Sequence, residues 1–116
     1  MGREKKLLGQ YGEEQATELL RSKGYTILER NYRCRFGEVD IIARRGEEVV
    51  FVEVRTRTSA SFGRPEESVN YRKVRRLALV ASYYLSRQGW PATTCRFDLV
   101  VILGDRVEHL PDAFRL

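Results

Sequence analysis

The stretch Phe36-Gly-Glu-Val-Asp40-Ile-Ile-Ala-Arg-Arg45-Gly-Glu-Glu-Val-Val50-Phe-Val-Glu-Val-Arg55-Thr-Arg57 decides the fold, because it reads as two strands joined by a tight turn. Val, Ile and Phe dominate both arms, and Gly46 sits where the chain must reverse. A two-residue loop at Gly46-Glu47, with glycine first as a type II′ turn prefers, pairs Arg45 with Glu48. That register places Asp40 opposite Glu53 and Glu38 opposite Arg55; a three-residue loop would dissolve both pairings. Because strand side chains alternate with a period of two, Val39, Ile41, Ala43, Val50, Val52 and Val54 share one apolar face, which must be core. The other face carries Glu38, Asp40, Ile42, Phe51, Glu53, Arg55 and Arg57.

In this register Glu38 and Arg55 neutralise each other, whereas Asp40 and Glu53 do not. Like charges opposed at a Cβ separation of about 4.5–5.5 Å destabilise a sheet. Compensation is expected from a bound cation, which carboxylate oxygens suit, or from a proton held on one carboxyl whose pKa its neighbour raises. The alternative is a solvated pair tolerated at small cost.

A chain of 116 residues favours one domain with a core of modest size. It has no apolar run near the length of a membrane span. The charged start Met1-Gly-Arg-Glu-Lys-Lys6 is followed by only Leu7 and Leu8, far short of a signal-peptide core. A cytoplasmic protein without a membrane partner is expected. Cys34 and Cys95 are far apart, with no C-x-x-C spacing and only His109 to assist, so they read as reduced thiols rather than zinc ligands. The net charge of +5 is localised. Between Arg55 and Arg76 stand Arg57, Arg64, Arg72, Lys73 and Arg75 with only Glu66 and Glu67 against them, and the rest of the chain is balanced. Such a stripe after an acidic pair suits a polyphosphate ligand, although basic surfaces also occur without one.

Before the hairpin, residues from about Lys5 to Lys23 have helical spacing, with Leu8, Gly12, Ala16, Leu19 and Leu20 inward and Gly24 as a stop. Glu13 falls on the edge of that stripe, so it either turns inward as a third carboxylate or keeps a wet head at the rim; Glu14 shares the outer face with Glu18 and Arg21. Gly12 implies a close backbone approach. Tyr25 to Arg30 reads as a first strand and Asn31 to Arg35 as a connection, where Arg33 and Arg35 either meet phosphate or stay solvated. After the hairpin, Thr58 to Arg64 reads as a mobile loop near the ligand, and Pro65 with Glu66 and Glu67 opens a helix running to about Gln88. Lys73 precedes Leu77 of its buried stripe by four residues, so it is the cation expected to lean over the sheet. Trp90-Pro91 breaks the chain, Phe97 to Leu103 is a strand covered on both faces, and Arg106 to Leu110 is a short edge strand. Asp98 reads as an anchor for backbone amides or an arginine.

The set formed by Glu13, Gly37-Glu-Val-Asp40, Phe51-Val-Glu53-Val-Arg55-Thr-Arg57, Phe62-Gly63, Lys73 and Arg96-Phe-Asp98 closely resembles the YraN-like family of small uncharacterised bacterial proteins. The resemblance covers nearly the whole chain. It implies an α/β, restriction-endonuclease-like fold, a mixed central sheet flanked by two main helices in the order αβββαββ, similar to Holliday-junction resolvases of the PD-(D/E)-x-K nuclease superfamily. It also implies Asp40, Glu53 and the helix-borne Glu13 as acidic ligands, of Mg²⁺ or Mn²⁺ on this reading, and Asp40, Glu53, Arg55 and Lys73 are expected to form the catalytic set. One position departs from the pattern: Arg55 stands where the Glu-x-Lys motif has lysine. Arginine stays protonated and cannot act as a base, though its fork can hold phosphate.

Three functions are therefore expected to compete. The first is a metal-dependent endonuclease-like protein acting on DNA, branched or otherwise structured, with Arg57, Arg64, Arg72, Arg76, Arg33 and Arg35 on flanking phosphates. The second is a non-catalytic nucleic-acid-binding module, which Arg55 favours, and the third an adaptor whose basic stripe docks an acidic protein. A homodimer would suit a symmetric junction, but no residue demands one.

Overall fold

The computed structural model describes residues 2–57, 71–90 and 95–114, with side chains from residue 10 onward. Its elements are α1 (Gly2–Ser22), β1 (Thr26–Cys34), β2 (Gly37–Arg45), β3 (Glu48–Arg57), α2 (Tyr71–Gln88), β4 (Cys95–Leu103) and β5 (Arg106–Leu110). The loop from Thr58, the motif Phe62-Gly63, Arg64, the helix opening at Pro65 and the break at Pro91 lie outside the described residues.

The strands form one mixed sheet in the order β1-β2-β3-β4-β5. Only β3 and β4 are parallel, and α2 lies between them in sequence, as a crossover connection requires. Each face of the sheet carries one helix. On the α2 face, Leu77, Val80, Ala81, Tyr84 and Leu85 pack on Ile42, Phe51, Phe97, Leu99 and Val101. On the α1 face, Ala16 and Leu20 pack on Ile41, Ala43, Val50, Val52, Val100 and Ile102. Consecutive β4 residues thus supply both cores, which is why that strand reads as a nearly unbroken apolar run. Gly12 brings α1 against the sheet: a Cβ there would stand 2.6 Å from Thr56 Oγ1.

The hairpin register is the one the turn chemistry sets, with Arg45 opposite Glu48, Ala43 opposite Val50 and Ile41 opposite Val52. Gly46 has φ of 63° and Glu47 has no positive φ, as a type II′ turn needs. Beyond Ile41–Val52 the β2–β3 ladder stops. The expected pairings of Asp40 with Glu53 and of Glu38 with Arg55 therefore do not form as ladder pairs. Alternation also slips at Asp40, because Val39 packs with Ile42 and Phe51 on the α2 face instead of with Ile41 and Ala43. Beside the slip, on β1, Asn31 takes a left-handed φ of 53° between the pairs Arg30–Ile41 and Tyr32–Val39.

β1 runs on to Cys34, so the expected connection from Asn31 is strand instead. It is an edge strand with a mostly exposed or half-buried pattern, which leaves no clean alternation to read in its sequence.

Candidate active site

Asp40 occupies the place where β2 and β3 part. Its Oδ2 accepts a hydrogen bond from the Val54 amide at 2.7 Å, so a side chain satisfies a strand amide beyond the last ladder pair. One residue earlier on β3, Glu53 is only 6% exposed. Lys73, reaching down from α2 one turn before the buried Leu77, places Nζ 3.1 Å from Glu53 Oε2. The i, i+4 offset thus delivers this cation to the sheet, as the helical spacing predicts.

These groups line a cleft of about 610 Å³ together with Arg33, Cys34, Gly37, Glu38, Val54, Arg55, Arg76 and Leu77. Burial pushes both carboxyls above their ordinary pKa values. At Glu53 the Asp40 charge adds to that rise, and Lys73 and Arg55 oppose it. At Asp40 the Val54 amide, Lys73 and Arg55 oppose the rise, and Glu38 adds to it. Two carboxylates thus crowd one cleft, and the nearby cations offset only part of the cost of charging both. Arg55 Nε is itself buried without a hydrogen-bond partner, so part of this guanidinium has donor capacity to spare.

Glu13 approaches from α1. Its Oε1 is buried without a hydrogen-bond partner and lies 3.8 Å from Arg30 Nη2, outside hydrogen-bond range. Burial and the Asp40 charge raise its pKa, while Asn31 and Arg30 oppose the rise. It senses Asp40 but is not among the residues that line the cleft. Among the described residues no three acidic, His or Cys side chains are gathered as a metal-holding group. The cleft brings together Asp40 and Glu53, whose hard oxygen donors fit a divalent cation that keeps water and substrate oxygens as its remaining ligands.

The other expected contacts divide. Arg33 and Arg76 line the cleft with Arg55 and Lys73, whereas Arg35, Arg57 and Arg72 stand outside its lining. Glu38 is neutralised by Arg33, whose Nε donates to its Oε2 at 2.8 Å, and not by Arg55; the end of the ladder at Ile41–Val52 removes the predicted pairing. Arg30, further back on β1, is tied to Glu14 at 2.7 Å. Gly37 is a residue whose role its motif alone did not reveal. At φ of 144° it leaves room for the Arg76 stem, two of whose carbons would lie 3.1 Å from a Cβ there. Asn31 was likewise missed, although asparagine is one of the few residues that tolerate the left-handed region.

On the opposite face Asp98 is fully buried and anchored. Arg96 donates to it twice at 2.8 Å, His109 Nε2 lies 2.7 Å from Oδ2, and the Asp112 amide donates to Oδ1 at 2.9 Å. Burial would raise this carboxyl, but the bonds from Arg96, His109 and Asp112 outweigh it and hold the pKa at about 2. Arg96 also reaches Glu48 and Tyr25, each at 2.7 Å, so this cluster joins β3, β4, β5 and the segment after α1.

Residues 12–102 match the model of the uncharacterised protein family UPF0102. The chain belongs to that family. A UPF0102 protein of Moorella thermoacetica is 55% identical over 88% of this chain and 85% of its own length. A relative in Persephonella marina is 44% identical over 93% of both chains, and one in Pelotomaculum thermopropionicum is 45% identical over 95% and 97%. The matched span of this UPF0102 chain contains Glu13, Asp40, Glu53, Arg55, Lys73 and Asp98, and ends before β5, which supplies His109. No helix among the described residues is long and apolar enough to cross a membrane.

Proposed function

We propose that this UPF0102 member has a restriction-endonuclease-like fold and acts as a cytoplasmic metal-dependent endonuclease on DNA, branched or otherwise structured. The observation that carries this reading is the meeting of the half-buried Asp40 and the buried Glu53 in one cleft, each pushed toward its protonated form, with Lys73 and Arg55 beside them. A buried pair of this kind costs stability in the empty protein, and a bound divalent cation would relieve it. The residues that would hold Mg²⁺ or Mn²⁺ are Asp40 and Glu53, helped by the Val54 carbonyl; Glu38 is a further carboxylate in the cleft lining, and Glu13 approaches from α1 outside it. Such an ion supplies water activation and shielding of the charge that builds on phosphorus.

The chain's own residues do the rest. Arg55, permanently charged and with an unused buried donor, holds a phosphate oxygen. Lys73 shares its ammonium between Glu53 and the phosphate, steadying charge as the bond to the leaving oxygen breaks. Arg33 and Arg76, at the cleft wall, position the flanking backbone.

The test is cleavage of junction, flap and duplex DNA with Mn²⁺, comparing the wild type with Glu53→Gln. Cleavage is expected to disappear in the variant while binding persists; equal cleavage by both proteins rejects the assignment. The second reading, a binding module without catalysis, is favoured by Arg55 at the position of the motif lysine. It predicts salt-sensitive DNA binding and no cleavage with any divalent metal.

A further inference from the structure

We infer that the outer ridge of α2, with the β1–β2 turn beside it, binds a single-stranded stretch of nucleic acid by stacking its bases next to the cleft. This rests on the nucleic-acid reading above and names the form of the ligand. Tyr71, Arg75, Leu79, Tyr83 and Arg87 recur every fourth residue, so they follow one ridge of the helix. None of these residues is buried: Tyr71 is 77% and Leu79 49% exposed, the two arginines are exposed and Tyr83 is half-buried. Each tyrosine on it carries an arginine over its ring, Arg75 at 5.7 Å from the Tyr71 centroid and Arg87 at 5.8 Å from that of Tyr83. Tyr83 also meets Phe36 of the β1–β2 turn edge to face at 5.8 Å, and Arg35 lies 5.0 Å over Phe36.

The chemistry of the occupant follows from charge and shape. No acid interrupts α2, and its first turns carry Arg72, Lys73, Arg75 and Arg76 against the helix dipole, so the ridge is complementary to a polyanion. A second copy does not meet that need, because α2 carries no acid, so a contact of the ridge with itself brings together cations and no anion. An acidic protein supplies charge but no succession of flat faces. A duplex keeps its base faces in its own stack. An unpaired strand offers phosphates and open base faces together, and aromatic rings and guanidinium planes are the platforms on which such bases stack. The ridge borders the cleft: Tyr83 meets Phe36, whose neighbour Gly37 lines the cleft, and Arg76, next to Arg75 in sequence, lines it too and lays its stem against Gly37.

The experiment measures fluorescence anisotropy in EDTA with an oligothymidylate and an abasic strand of equal length. The base-bearing strand is expected to bind about tenfold more tightly. In the double variant Phe36→Leu, Tyr83→Leu that preference is expected to vanish while the salt dependence stays. Circular dichroism checks folding. Should the double variant not fold, Tyr71→Ser at the exposed end of the ridge must weaken the same preference about threefold. Equal binding of the two strands by the wild type, or a preference that survives these substitutions, overturns the inference. Equally tight binding of polyglutamate reassigns the ridge to an acidic protein, and a dimer dissolved by Leu79→Glu reassigns it to a second copy; either result also overturns it. A preserved base preference without Mn²⁺-dependent cleavage counts only against the proposed catalysis.

Discussion

Two buried carboxylate centres occupy opposite faces of one sheet and show opposite behaviour. Asp98, on the α1 face, receives two bonds from Arg96, one from the Asp112 amide and a contact from His109, and titrates at about 2. Asp40 and Glu53, in the cleft beside α2, are held above their ordinary values by burial, with the Asp40 charge adding to the rise at Glu53 and Glu38 to that at Asp40. Burial acts in the same direction at all three. The donors decide the outcome: where they saturate a carboxylate, the charged form is locked in, and where two carboxylates share a few cations, charge is left under-compensated. The first arrangement builds structure, whereas the second is the kind of strain that the proposed cation would relieve.

The largest expected effect breaks the saturated centre. Asp98→Ala takes the main partner from the half-buried Arg96 and from the buried His109 ring, and should lower unfolding free energy by roughly 3–5 kcal/mol, read by urea denaturation. Because the folded pKa of Asp98 lies below its unfolded value, its stabilisation is present above about pH 4 and lost as pH falls toward 2. The variant should therefore lose its disadvantage in strong acid.

The crowded centre should respond with the opposite sign. Asp40→Asn keeps an acceptor for the Val54 amide and removes the repulsion on Glu53, so the metal-free protein should gain about 1 kcal/mol near pH 7. Since these carboxyls have raised folded pKa values, their cost appears as pH rises through the range between the unfolded and folded values. The gain should shrink as pH falls below the ordinary carboxyl range and both groups take up protons, and melting curves across that range would show it.

The smallest effect is that of the exposed pair. Glu38→Gln removes the charge that pairs with Arg33, but both side chains are mostly exposed, and stability should change by less than about 0.5 kcal/mol. A larger loss would mean that Glu38 belongs to the cleft's charge balance and not to its rim.

The sequence made some of this legible for local reasons. Gly46 and the flanking alternation set the hairpin register, and the offset of Lys73 from Leu77 put its ammonium on the sheet. The slip at Asp40 was not legible, because it depends on the backbone of Asn31 in a neighbouring strand and on a carboxylate standing beyond the last ladder pair. Asp98 could be read as an anchor, but its partners could not be named in full. His109 and Tyr25 reach it or its arginine only after the sheet has assembled β4 next to β5 and the end of α1 over both. The strand character of Asn31 to Cys34 was hidden for a different reason: an edge strand exposed along much of its length has no need to alternate.

The most direct test of the contrast is a carboxyl-carbon NMR titration of the metal-free protein, repeated with Mg²⁺. Asp98 should titrate near 2 and ignore the metal, while Asp40 and Glu53 should titrate above ordinary carboxyl values and move down when Mg²⁺ is added. Ordinary values for Asp40 and Glu53, unmoved by Mg²⁺, would contradict the claim that the cleft holds an under-compensated pair waiting for a cation.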